Sequence, residues 1–165
     1  MTLDPTTPDT SCPATLIIGL GNLLRGDDGV GVRVVQMLAR QTLPNEVEVV
    51  DGGTQGLGLV NLMEGRQRLI LVDAADVGKT PGEFVGFTLD EAVLRGNDQH
   101  LSVHTAGLRE ALLLAQALKI LPDEVIIFGV QPANLDWVRT LSPEVEAALP
   151  DLISAVLAEL AVDYE

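Results

Sequence analysis

The amino-acid sequence predicts a three-layer α/β/α sandwich built on a mixed, mostly parallel five-stranded sheet, with one strand antiparallel. Two observations carry this expectation. Apolar runs suited to buried strands alternate with segments of helical period, and strand–helix–strand order implies parallel pairing with right-handed crossovers. One connection, residues 74–81, is too short for such a crossover, which needs about a dozen residues or more, so the strand after it must turn back.

Each element has its own justification. Residues 14–20 form a continuous apolar run, followed by a glycine-rich turn and a helix over 27–41 that places Val30, Val34, Met37 and Leu38 on one face. Residues 46–51 alternate as a second strand. They lead through a segment containing Gly52, Gly53, Gly56 and Gly58 to a short helix over 59–64. Leu69, Ile70, Leu71 and Val72 make 68–73 a fully buried strand, and 83–88 is the antiparallel strand, expected at a sheet edge. A helix over 105–120 presents Leu108, Ala111, Leu112, Ala115 and Leu118 on one side. Residues 124–130 are another buried strand, and Ser142 followed by Pro143 opens a last helix over 142–161. Residues 1–13 read as a flexible tail and 14–165 as a single domain without repeats or low-complexity segments.

Composition narrows the function classes. The 165 residues are 47% hydrophobic and 21% charged, enough for one domain with a sizeable core, while aromatics at 3% leave that core to aliphatic side chains. A net charge of −14, from 24 acidic and 10 basic residues, repels nucleic acid and anionic membranes. No apolar run approaches the roughly 20 residues of a membrane span, and the first 13 residues lack a secretory signal's basic and apolar segments. Cys12, the single cysteine, allows no internal disulfide and fits a reducing compartment. A cytoplasmic monomer is the expected state.

The first strand–turn–helix unit concentrates the chemistry. Gly19 and Gly21 begin a dinucleotide-binding pattern, but its third glycine position is Leu24, and Asp27 and Asp28 stand where a pyrophosphate would approach. No Gly-Lys-Ser/Thr follows, so a phosphate loop is absent. Carboxylates at the end of a parallel strand suit a cation or acid/base work instead. Asp28 after the first strand, Asp51 ending the second, Asp73 ending the third and His104 at the start of the 105–120 helix should all face the carboxyl edge of the sheet. Two carboxylates and an imidazole can ligate a transition metal and leave positions for water or substrate. Structural readings compete with each assignment. Asp27 reads as a helix cap, Asp51 as a turn former, His100 as a solvated loop residue and Trp137 as packing, while Asp28 can simply favour the helix dipole and His104 can cap its helix. Serine-nucleophile, zincin and cysteine-ligand signatures are absent.

At these residues the chain resembles the [NiFe] hydrogenase maturation proteases over about 16–160. The likeness rests on Gly19, Gly21 and Asn22 with Asp27, Asp28, Gly29 and Gly31; on Asp51 to Gly56; on Leu71 to Ala74; on Ser102, Val103 and His104 with Gly107 and Leu108; and on Phe128 to Pro132. The resemblance implies an aspartic-type, metal-binding endopeptidase that trims the C-terminal extension of a [NiFe] hydrogenase large-subunit precursor. Its metal-contacting acid, aspartate and histidine map onto Asp28, Asp73 and His104, the first of which is often glutamate in relatives. The nickel already inserted into the substrate is the implied recognition element, with other divalent ions able to occupy the same donors. A non-catalytic, metal-dependent escort protein for hydrogenase assembly is the alternative, and a nucleotide-binding domain a third reading.

Overall fold

Strict alternation along the strands divides the core into two apolar layers, one on each face of the sheet. The computed structural model describes residues 12–91, the backbone of 102–103, and residues 107–161. Among these, β1 (Thr15–Leu20), β2 (Val47–Gly53), β3 (Arg68–Asp76), β4 (Phe84–Thr88) and β6 (Glu124–Val130) form a sheet of order β2-β1-β3-β6-β4. A two-residue strand, β5 (Ser102–Val103), pairs with β3 off this path. β1 runs parallel to β2 and β3, β3 parallel to β6, and β4 antiparallel to β6 at the edge. Because β3 runs on to Asp76, the connection to β4 spans only residues 77–83, and a link that short produces the reversed edge strand expected from its length.

On one face, Ile17, Ile70, Val72, Ile126 and Phe128 pack against α1 (Val30–Leu38) and α4 (Pro143–Leu160). On the other, Leu16, Ile18, Leu69, Leu71 and Ile127 pack against α2 (Val60–Met63) and α3 (Leu108–Ala117). α4 starts as its sequence requires: the Ser142 hydroxyl accepts from the Val145 amide at 3.4 Å, and Pro143 occupies the first helical position. No helix among the described residues is long and apolar enough to cross a membrane.

Several boundaries differ from expectation. Residues Gly26–Gly29 form a 3-10 turn before α1, and the stripe facing the sheet is Val30, Gly31, Val34, Val35 and Leu38, which leaves Met37 on the flank at 39% exposure. α3 ends at Ala117, so Leu118 lies beyond the buried face and is 56% exposed. Lys119 closes that helix with φ 59°, its amide bonding to the Gln116 carbonyl while the Ile120 amide reaches Ala115. These are the paired hydrogen bonds of a Schellman cap, formed here without the usual glycine. β3 continues three residues past Asp73, and β5 was not foreseen.

α1 lies unusually deep against the sheet. A methyl group at Gly31 would fall 2.1 Å from the Val72 carbonyl oxygen, and one at Gly19 would fall 2.1 Å from the Gly31 carbonyl oxygen. Replacing Gly31 by Ala should therefore abolish soluble folding or cost at least about 3 kcal/mol, as expected for overpacking against backbone. Gly58→Ala, whose nearest neighbours lie 3.5 Å away, should stay within about 0.5 kcal/mol of the parent. Urea denaturation of the two variants checks the contrast.

Candidate active site

The chain reverses its direction of progress across the sheet between β1 and β3. β2 is added on one side of β1 and β3 on the other, while α1 and α2 cover opposite faces. Such a switch point opens a crevice at the carboxyl ends of the two central strands. Asp28 lies on the turn after β1, and Asp73 is the first β3 residue beyond the β1 register, whose last pair is Gly19 with Val72.

Asp73 is fully buried, and alternation with Leu69 and Leu71 directs its side chain toward the α2/α3 face. It pairs through its backbone register with Gly129 of β6. The Gly26–Gly29 turn packs against β3, and Gly31 stands over the Val72 carbonyl, so the Asp28 turn is held at this part of β3. Asp28 is half-buried. Its Oδ2 accepts from the Asn22 amide at 2.8 Å, while its Oδ1 takes part in no hydrogen bond among the described residues. A carboxylate fixed through one oxygen with the other uncommitted is the arrangement that orients a metal or proton ligand. Gly21, at φ 120°, permits that geometry, since a methyl group there would meet the Asp28 carbonyl oxygen at 1.8 Å.

His104 lies outside the described residues, and among those described no three His, Cys, Asp or Glu side chains form a metal-holding group. The chain on either side is placed. β5 runs antiparallel to β3, with Val103 opposite Ala75, two residues along from Asp73. After the gap, Gly107 packs against Gly56, where a methyl group would come within 3.1 Å of the glycine Cα. Two carboxylates together with an imidazole form a donor set suited to a transition metal.

Asp51 and Asp27 have structural work. Asp51 Oδ1 accepts from the Gly53 amide at 2.9 Å, closing the turn after β2, and the Gly53 carbonyl accepts from Gly21. An open crevice of about 250 Å³ lies between these turns, lined by Asn22, Leu23, Asp51 and Thr54 among others. A larger one of about 300 Å³, beside Lys79, Phe84 and Asp151, carries none of the candidate groups. Asp27 does not cap the helix. Fully buried, its Oδ2 accepts from the Ala133 and Asn134 amides at 2.8 and 3.0 Å, and its Oδ1 from the Ser142 amide at 2.7 Å. It joins the first crossover to the β6–α4 loop, a pairing across more than a hundred residues that local pattern does not reveal. Trp137, on that loop, is 73% exposed and so is not a packing residue.

This is an α/β domain with a carboxylate site at its topological switch point. The family model described as hydrogenase maturation protease matches residues 32–159, which include Asp73 and His104 and begin just after Asp28. The hydrogenase 2 maturation protease of Escherichia coli is 35% identical over 88% of this chain and 89% of its own. The hydrogenase expression/formation protein HupD of Bradyrhizobium diazoefficiens is 39% identical over 89% and 79%, respectively. The solved structure of the hydrogenase maturating endopeptidase HybD from E. coli superposes with a TM-score of 0.79 at 34% identity, covering 89% of this chain and 91% of that one. The chain belongs to the hydrogenase maturation protease family, and it is a peptidase.

The two adjacent aspartates should separate cleanly on substitution. Asp27→Ala leaves three amides without their acceptor and should cost about 2–4 kcal/mol in chemical denaturation. Asp28→Ala gives up a single amide partner at a half-exposed position and should cost no more than about 1 kcal/mol while eliminating activity.

Proposed function

We propose that this protein removes the C-terminal extension of a [NiFe] hydrogenase large-subunit precursor by hydrolysing one peptide bond after nickel insertion. Asp28, Asp73 and His104 are the residues assigned to read the substrate's nickel. The observation that supports this most directly is the convergence of the Asp28 turn and the Asp73 segment at the switch point of a chain that belongs to the maturation protease family. The same reading has the protein act as a cytoplasmic monomer, in keeping with a lone cysteine and an acidic, soluble composition.

The chemistry follows from the two carboxylate environments. Hydrolysis needs a water oxygen to attack the scissile carbonyl carbon and a base to take the water proton. Asp28 is half-buried and its Oδ1 has no hydrogen bond among the described residues, so that oxygen is the one offered to the substrate's nickel, and the attacking water's proton passes through solvent to the departing amine. Asp73 is fully buried and is assigned to hold the substrate's metal from the β3 side. His104 supplies the nitrogen donor, which binds metal only when unprotonated.

The test is mass spectrometry of three substrates: nickel-loaded precursor, nickel-free precursor, and an unfolded peptide carrying the cleavage sequence. Only the first should lose its extension. Equal cleavage of all three would remove the metal as the recognition element, and binding of the loaded precursor without any mass change would establish an escort protein instead. His104→Ala should lower kcat/KM by at least about a hundredfold with the melting temperature unchanged. Normal processing by that variant would remove the histidine from the site.

A further inference from the structure

The β6–α4 loop, residues 131–142, is fastened to the turn that carries Asp28 with unusual density. The Gly26 amide donates to the Val138 carbonyl at 2.7 Å, and the Asp27 amide to the Asn134 carbonyl at 2.9 Å. Arg25 donates to the Leu135 carbonyl and Arg33 to the Arg139 carbonyl, each at 3.2 Å. The buried Asp27 carboxylate adds its three amide partners from the same loop. All of this holds rigid a surface that the protein's own core does not use. Trp137, the chain's only tryptophan, has the Arg25 guanidinium carbon 5.3 Å from its ring centroid, and exposed Leu24 and Val138 flank the pair.

The charge here is balanced, whereas the rest of the molecule is strongly acidic. Three of the chain's 10 basic residues, Arg25, Arg33 and Arg139, gather at this loop and the turn it meets, against Asp136, the half-buried Asp28 and the buried Asp27, whose carboxylate is taken up by loop amides. Most of the chain's 24 acidic residues lie elsewhere and dominate there. An exposed Trp–Arg pair on a preorganised loop has the makeup of a binding hot spot, with little ordering entropy left to lose. It is also continuous with the candidate site: Arg25 and Asp28 are three residues apart, so their Cα atoms lie within about 11 Å.

We propose that the Arg25–Trp137 plate and the arginines around it dock the precursor segment adjoining the scissile bond, and that this segment presents an apolar side chain together with a carboxylate. The proposal rests on the precursor-processing function above. An apolar side chain covers the indole, and the carboxylate faces Arg25 and Arg139. Charge complementarity at a site embedded in an acidic molecule then selects against segments that are apolar alone or basic.

The single tryptophan makes the test direct. Protein labelled with 5-fluorotryptophan gives one ¹⁹F resonance, from position 137. Addition of nickel-loaded precursor should shift that resonance and abolish its solvent-isotope shift. Trp137→Ala should raise KM about tenfold with kcat unchanged. Arg139→Glu should raise KM at low salt, with the effect shrinking at about 0.5 M salt as screening takes over. If the parent protein processes the precursor while the resonance and both KM values stay put, the docking surface is overturned and the protease function stands. If the parent protein does not process loaded precursor at all, the function itself fails and this assignment fails with it.

Discussion

The carbonyl oxygen of Val72 sits where a side chain on α1 would begin. Because Gly31 has none, the helix settles directly onto the backbone of β3, and because Gly19 has none, β1 in turn accepts the helix backbone. Helices on sheets are ordinarily kept apart by a layer of side chains, and removing that layer at Gly31 lets the start of α1 approach the backbone of β3. A 3-10 turn at Gly26–Gly29 leads the chain from β1 into this helix. That turn holds Asp28 beside the segment of β3 that carries Asp73. Two glycines chosen for their absence of bulk thus set the separation of two carboxylates.

Adjacent aspartates in one turn then take opposite roles through direction alone. Asp27 points into the protein and is surrounded by amide donors, which stabilise a buried negative charge that would otherwise be costly. Asp28 is half-buried, and its Oδ1 takes part in no hydrogen bond among the described residues. The division matters electrostatically. Two carboxylates facing the same crevice would repel each other, and neutralising Asp27 with backbone dipoles removes it from that competition. The same hydrogen bonds bind the β6–α4 loop to the Asp28 turn, so the inner charge is a structural joint, and on the proposed reading the outer one is left to chemistry.

The sheet was largely legible because its signals are local. Leu69 to Val72 could only be a buried strand, and eight residues after Asp73 could not complete a parallel crossover, so even the antiparallel edge followed from length. What stayed hidden was long-range. Asp27 looked like a helix cap because aspartate before a helix normally is one, and nothing near it in sequence announces amides at 133, 134 and 142. Met37 and Leu118 fit a helical period but lie on the flank or beyond the helix end, which periodicity does not resolve. β5 is two residues long, too short for any alternation to show. The approach of the Asp28 turn to the Asp73 segment was legible because a parallel strand order sends both to one edge. His104, the third candidate, lies outside the described residues and rests on its place before the 105–120 segment and on the resemblance.

Among the described residues, selectivity has few geometric sources. The crevice beside Asp28 is open and bounded by the Gly21–Leu23 and Asp51–Thr54 turns, without the deep apolar slot by which many peptidases choose a side chain. A shallow crevice with strong carboxylates discriminates poorly between peptides but strongly between a site that offers a cation and one that does not. On the proposed reading, the cation belongs to the substrate, so the enzyme becomes competent only when the partner brings it. The restraint that ordinary peptidases build with pockets is then achieved by withholding a charge. A general peptidase activity is avoided for the same reason, since a peptide without the ion presents nothing for Asp28 and Asp73 to hold.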